Sequence, residues 1–267
     1  MPNLSTVEDT LFVPMLGRIY ASEKFPKILH DEKALSLKPM LPANLKGQDT
    51  QTQYTLLASA VRSSNMDRYI QDFMKRHPDG IIAQLGCGLE TTFYRNDNGK
   101  TVWYEIDLQD VIEYRKTLLP ESERDRYFAG SAFETGWIEE IRKSFPDAPV
   151  LATASGLFYY FEENTVLKLF QDLQAFGNIE VVFDTVNKSG MKRMSKYMKT
   201  VGHEDAVMYF YVDRIDELVS KVGGSCRAIK EEKYYSHADR SGLNGGTKFT
   251  MWGSDLFSMV KMIHIGV

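Results

Sequence analysis

The stretch Ile81–Arg95, IIAQLGCGLETTFYR, constrains this chain more than any other. The apolar run Ile81-Ile82-Ala83 leads into Gly86-Cys87-Gly88 and then into a segment able to start a helix. A buried strand that turns sharply beside a ligand needs glycine there. A Cβ would block both the tight turn and the close approach of backbone to a bound group. An isolated Gly-x-Gly also fits an ordinary strand-to-helix turn, so the surrounding pattern has to decide.

That pattern alternates. Upstream, Val7–Ala21 has helical spacing through Leu11, Phe12, Met15 and Ile19, with Pro14 expected to kink or delay the helix. Asp31–Leu37 reads as a short helix and Lys38–Thr52 as a loop or strap. Tyr54–Arg62 and Met66–Arg76 read as consecutive helices, with Ser64-Asn65-Met66-Asp67 resembling a capping box between them. Downstream, strands are expected at Thr101–Asp107, Tyr127–Ala129, Val150–Ser155, Val181–Asp184, Cys226–Lys233 and Met259–Ile265. Helices are expected at Leu108–Leu119, Trp137–Phe145, Asn164–Phe176, Gly190–Val201 and Val212–Val222. Tyr234–His237 and Gly242–Gly246 read as exposed loop, with a lid as the alternative. Such repetition gives an α/β fold, a parallel sheet with helices on both faces. Right-handed crossovers then bring Gly86–Glu90, Asp107, Ser131, Ser155 and Asp184 to one sheet edge, where ligands of such sheets sit.

Composition removes several alternatives. With 32 basic and 36 acidic residues, net −4, and no polybasic run, nucleic acid is not an expected partner. Cys87 and Cys226 make neither a disulfide framework nor a zinc site, and the five histidines lack ligand spacing, so no metal is expected. No leader pattern and no long apolar run occurs, which makes the cytosol the default compartment and a membrane partner unexpected.

An acid at the end of the second strand can accept hydrogen bonds from both hydroxyls of a ribose. Asp107 lies 19 positions after Gly88 (107 − 88), close to the spacing of about 20 that this role requires. Glu105 shares its face one pleat deeper. The bland alternative for Asp107 is a solvated acid capping the next helix. An adenosine-containing cofactor can be NAD or S-adenosylmethionine. Thr91 stands where a dinucleotide site wants its third glycine, and Glu90 would place negative charge near a pyrophosphate. A carboxylate suits the ammonium and sulfonium of S-adenosylmethionine better.

These segments resemble the leucine carboxyl methyltransferase-like family, in its bacterial polyketide O-methyltransferase branch. The similarity is carried by AVRSSNMDRYIQDF, LGCGLETTFYR, WYEIDLQDVIEYRK, LLPESERDRYFAGSAF and SGLFYYFEE, between Ala60 and Glu163. The resemblance implies a class I, Rossmann-like methyltransferase sheet of seven strands, mostly parallel with the last strand antiparallel. It also implies an N-terminal helical cap, giving residues 1–53 as cap and strap and 54–267 as the methyltransferase domain. S-adenosylmethionine is the implied methyl donor. By position, Arg62 would hold its carboxylate, Gly86 and Gly88 would face its methionine and ribose, Asp107 would bind the ribose and Ser131-Ala132 the adenine. Gln84, Cys87, Glu90, Leu108 and Ser155 complete the implied cofactor-binding set. Three positions depart from the family pattern. Glu90 replaces an Asp, Thr92 an Arg that would order the loop, and Ser155 a Glu near the methionine end.

Methyl transfer from a sulfonium is an in-line displacement that rests on positioning. A carboxylate acceptor is already ionised at pH 7, whereas a phenol gains from a base. No His-Asp or Lys dyad is evident, so the expected enzyme is an S-adenosylmethionine-dependent O-methyltransferase acting on a carboxylate, or a hydroxyl, of a small apolar or aromatic molecule. Tyr159, Tyr160 and His237 are the positioning candidates, and Tyr20, Phe158, Met191, Met194, Tyr197, Met208, Tyr209 and Phe210 are available to line a pocket. A protein C-terminal carboxylate, a methyltransferase fold that binds without turnover, and, more distantly, an NAD-linked reductase are the competing readings.

Overall fold

In the computed structural model, which describes residues 8–41, 52–200 and 208–267, two neighbouring strands in the middle of the sheet are buried at every position. These are β1 (Ile81–Leu85) and β4 (Val150–Ala154). Continuous apolar runs of this kind suit strands covered on both faces. Beside them lie β2 (Val102–Asp107), β3 (Asp125–Ala129), β5 (Ile179–Val186), β6 (Arg227–Lys233) and β7 (Val260–Gly266), in the order β3-β2-β1-β4-β5-β7-β6. Neighbours from β3 to β5 pair in parallel, and β7 runs antiparallel between β5 and β6. This is the expected seven-stranded sheet with its last strand reversed.

Strand periodicity divides the core in two. Ile81, Ala83, Leu85, Ile106, Ala152, Val181 and Phe183 face one way. They meet Trp137 and Ile141 of α6 (Gly136–Ser144), Phe170 of α7 (Glu163–Leu173) and Leu218 of α9 (Ile215–Val222). Ile82, Trp103, Leu151, Val182 and Met262 face the other way, onto Ile70 and Phe73 of α3 (Gln53–Arg76) and Met251 of α10 (Gly245–Leu256). The remaining helices are α1 (Glu8–Lys24, with Pro14 inside it), α2 (Glu32–Leu37), α4 (Thr92–Asn96), α5 (Gln109–Leu118) and α8 (Lys188–Thr200). Asp31 caps α2 by accepting the Ala34 N–H at 2.8 Å. No helix among the described residues is long and apolar enough to cross a membrane.

Two expectations need correction. The helices expected at Tyr54–Arg62 and Met66–Arg76 are one continuous helix, α3. The polar residues between them are buried ties to other segments: Ser63 donates to Glu90, and the Asn65 amide donates to the Tyr234 carbonyl at 2.8 Å. The segment read as loop around Gly242–Gly246 instead begins α10, which Asn244 caps by accepting the Thr247 N–H at 2.7 Å. Most of the expected strap, residues 42–51, and the Tyr197 side chain lie outside the described part.

At the start of β3, Asp125 is wholly buried and neither carboxylate oxygen has a hydrogen-bond partner. Burial, reinforced by Glu105 nearby, pushes its pKa up to about 8. The folded state therefore holds a proton there that the unfolded chain releases near pH 4. This contribution is fully present below about pH 4 and is lost as pH rises to about 8. Asp125→Asn is expected to raise stability at pH 8 by on the order of 1–3 kcal/mol and to flatten that dependence. Urea denaturation at pH 5 and pH 8 checks it, and an equal effect at both would contradict the assignment.

Candidate functional site

The carboxyl ends of β1, β2, β4 and β5 meet at one edge of the sheet, and the glycine loop lies across it. Gly86 and Gly88 have φ of +64° and +48°, a region that residues with a Cβ rarely adopt. The loop is held from two directions. From β2, the Cys87 N–H donates to the Ile106 carbonyl at 3.1 Å and the Gly88 N–H to Asp107 Oδ2 at 2.8 Å. Asp107 Oδ1 accepts the Leu108 N–H, also at 2.8 Å. From α5, the buried Arg115 guanidinium donates to the carbonyls of Gly88 (3.0 Å) and Glu90 (2.7 Å) and lies 3.3 Å from Glu105. Gln84 spends its amide on Glu105 at 2.6 Å, so both of these residues lie beneath the loop rather than at its surface. Burial raises the Cys87 thiol pKa and keeps it neutral. Burial also raises the Asp107 pKa, against the two backbone N–H groups that favour its charge. Leu108, 60% exposed, presents an apolar side chain next to Asp107.

A second group gathers after β4 and β5. Asp184 Oδ1 accepts the Gly156 N–H at 2.7 Å, and Oδ2 accepts the Tyr159 hydroxyl and stands 3.7 Å from Arg62 Nη1. Arg62 projects from the middle of α3 onto Gly156, where a Cβ would collide with Nη1. Its side chain is 17% exposed and its Nε is buried without a partner. Burial opposes its charge most strongly, but Asp184 together with Tyr234, Tyr159 and Glu90 outweighs that and raises the guanidinium pKa. Tyr159 is kept neutral by burial and then by Asp184, which raise its pKa well above the usual value. Ser155 is half-buried just before Gly156. Leu157 lies over Gly86, 2.9 Å from where a Cβ would stand, and Leu11 of α1 lies over Gly88 at 3.1 Å.

Glu90 belongs to a buried ion network that ties the loop to α1, α2 and α3. Arg18 donates to Glu90 Oε1 at 2.6 Å and to the Leu89 carbonyl at 2.7 Å. Arg95 pairs with both oxygens of Asp67 (2.8 and 3.0 Å) and with Asp31 (2.6 Å), and lies 3.9 Å from Glu90. Although burial opposes it, the charge of Glu90 is favoured by Arg18 and Arg95, and its pKa falls. Thr92 joins the network by donating to Glu90 Oε2 at 3.3 Å. Ser131 Oγ accepts the Phe133 N–H at 3.2 Å, and Ala132 is buried, its carbonyl accepting the Trp137 indole at 3.3 Å.

His237 is not brought to the glycine loop. It stands past β6, 2.9 Å from Glu232, whose other partners are Arg68, Tyr69 and Lys230. Of the pocket aromatics, Phe158 and Phe210 are fully buried in the core. Tyr159, Met191 and Met208 pack together with Val186, while Tyr160 and Tyr209 are exposed. Arg18 and Arg115 escaped the sequence reading. Each sits on the apolar stripe of its helix, after Met15 and after Val111-Ile112, and an arginine in that position is the signal that marks it.

The profile of the family described as leucine carboxyl methyltransferase matches residues 13–174, which is more than half of the chain. The chain belongs to the leucine carboxyl methyltransferase family. Among curated relatives, the tetracenomycin polyketide synthesis O-methyltransferase of Streptomyces glaucescens is 26% identical over 223 residues, covering 83% of this chain and 81% of the relative. An S-adenosyl-L-methionine-dependent methyltransferase of Gibberella zeae is 24% identical over 184 residues, 63% of this chain and 60% of its own length. Among solved structures, a DUF574 family protein of Streptomyces avermitilis superposes with a TM-score of 0.57 at 11% identity, covering 94% of this chain and 96% of that one. A putative methyltransferase of Thermobifida fusca superposes with a TM-score of 0.56 at 12% identity, covering 94% of this chain and 93% of that one, and this likeness supports the class I methyltransferase fold. For a leucine carboxyl methyltransferase family member, the three departures acquire local explanations. Glu90 reaches Arg18 with its extra methylene, Arg95 supplies a cation beside Thr92, and Asp184 places a carboxylate near Ser155.

Proposed function

We propose that this protein transfers a methyl group from S-adenosylmethionine to an oxygen of a small apolar molecule, with a carboxylate as the acceptor. The observation that carries this reading is Arg62. A charged guanidinium with an unpartnered Nε and a single long ion pair, at the edge where the glycine loop lies, is matched to a carboxylate ligand such as the methionine end of the donor. Asp184, beside it, supplies near the methionine end the negative charge that Ser155 does not, which would favour the donor ammonium. Gly86 and Gly88 allow close backbone approach, Asp107 takes the ribose hydroxyls with its remaining lone pairs, and Leu108 and Ser131-Ala132 flank the adenine. Gln84, Cys87, Glu90 and Arg115 hold the loop in shape from below.

Bound S-adenosylmethionine supplies an electrophilic methyl on sulfur. The chain's part is to orient the acceptor oxygen and to exclude water. Tyr159 is a neutral hydrogen-bond donor committed to Asp184, and the imidazole of His237 is paired with Glu232, which favours an acceptor that is already ionised at pH 7. α1 and α2 act as the cap that closes over the loop.

Calorimetry with S-adenosylmethionine, followed by transfer of labelled methyl to a panel of apolar carboxylic acids and phenols, tests this function. Turnover restricted to phenols would reject the carboxylate assignment. Asp107→Ala is expected to weaken the donor by about 1–3 kcal/mol, and an unchanged dissociation constant would refute the ribose role.

A further inference from the structure

The outer face of α10 is apolar and exposed among the described residues. Thr247, Met251, Ser254 and Asp255 turn inward. On the outside, Phe249 is 70% exposed, Trp252 51%, Leu256 52% and the adjoining Phe257 63%. The Phe249 and Trp252 rings lie 5.8 Å apart. Helical spacing of three and four puts Phe249, Trp252, Gly253 and Leu256 on one stripe. Single exposed apolar residues are ordinary on a protein surface, but three large side chains on one stripe, with Phe257 adjoining, make a continuous patch.

We infer that this stripe is the contact surface for a second copy of the chain, packed α10 to α10 across a two-fold axis. A patch that meets its own copy has to tolerate itself, because every side chain faces the same surface again. A charged patch would fail through like-charge repulsion. This one carries no formal charge. Asp255 is turned inward onto Arg240 at 2.7 Å and the Tyr235 N–H at 3.0 Å, and Lys248 lies on the flank. Size points the same way. With about 150–250 Å² on each large side chain, the four exposed fractions leave roughly 450 Å² of apolar surface on one helix. That is over half of the roughly 800 Å² that each partner contributes to a stable dimer. The helix also permits close approach, since nothing lies within 4 Å of where a Cβ on Gly253 would stand. Antiparallel pairing centred on Trp252 and Gly253 then sets the Phe249 ring of one copy against Leu256 of the other, with interaxial distances at the short end of about 8–10 Å.

The tryptophans give a direct readout. Trp103 and Trp137 are fully buried, so of the three in the sequence Trp252 alone is positioned to report on its surroundings. Sedimentation velocity of the full chain is expected to show a monomer–dimer equilibrium across micromolar concentrations, with tryptophan emission shifting to the blue as the dimer forms. Phe249→Glu together with Trp252→Glu is expected to raise the dimer dissociation constant by roughly a hundredfold or more, because these aromatics form the centre of the contact. Trp252→Phe should retain the dimer and lose the emission shift. The melting temperature of each variant confirms that an exposed substitution has left the fold intact. A wild-type chain that stays monomeric throughout overturns the inference, including one that cosediments with phosphatidylcholine vesicles as a monomer. So does a dimer that persists unchanged in the double glutamate variant.

Discussion

Arg62→Ala is expected to weaken S-adenosylmethionine and S-adenosylhomocysteine alike, by about 2–3 kcal/mol. Both ligands carry the amino-acid carboxylate that the guanidinium is proposed to hold, and only the sulfur differs. The change should leave the fold in place, because Asp184 keeps the Gly156 N–H and the Tyr159 hydroxyl as partners. Arg62→Lys separates charge from shape. A lysine restores the ion pair but not a forked contact, so it should recover only part of the lost affinity. Titration calorimetry with both ligands reads the result. A loss confined to S-adenosylmethionine would place Arg62 near the sulfonium and reject the carboxylate role.

Arg95→Ala is expected to cost about 3–5 kcal/mol of stability, since it strands carboxylates inside the protein. Asp67 loses both of its bonds to the guanidinium, and Asp31, with no exposed side-chain surface, loses one of its two arginines. Asp31 must then lean on Arg18, which already serves Glu90 and the Leu89 carbonyl. By contrast, the Arg124–Asp97 pair is a third exposed, and its loss should be small. Urea denaturation of the two alanine variants tests the contrast. Similar midpoints would show that the network around Asp31 is held by other means.

The central sheet was legible because its signals are local. Strands such as IIAQL and VLATA announce burial on both faces, and a glycine bend followed by an acid 19 positions later fixes β1 and β2. Polar residues inside α3 misled because a capping box and a buried polar tie use the same letters. Asn65 and Asp67 could be told from capping residues only by partners 169 and 28 positions away. The ion network is hidden for the same reason, since Arg18 meets Glu90 across 72 positions. α10 escaped because Gly245, Gly246 and Gly253 lower helix propensity, and its stability comes from Met251 and Thr247 packing inward rather than from composition. Spacing placed Asp107 at the edge of the sheet and family resemblance pointed to Arg62, but only the folded chain shows that Asp107 also anchors the Gly88 N–H and that Arg115 braces the loop from beneath.

The unbroken 24-residue run of α3 has a mechanical consequence. Its foot is pinned where Arg76 forks onto Glu180, with two contacts of 2.7 Å at the beginning of β5. Arg62 stands fourteen residues up the rod (76 − 62), roughly 21 Å from that pivot. A tilt of about 3° at the foot swings its Cα by about 1 Å, a displacement large enough to slow a positioned reaction severely. The far end of the sheet thus works as a fulcrum, and a substitution at Glu180 is expected to shift Arg62, the residue proposed above to hold the donor carboxylate.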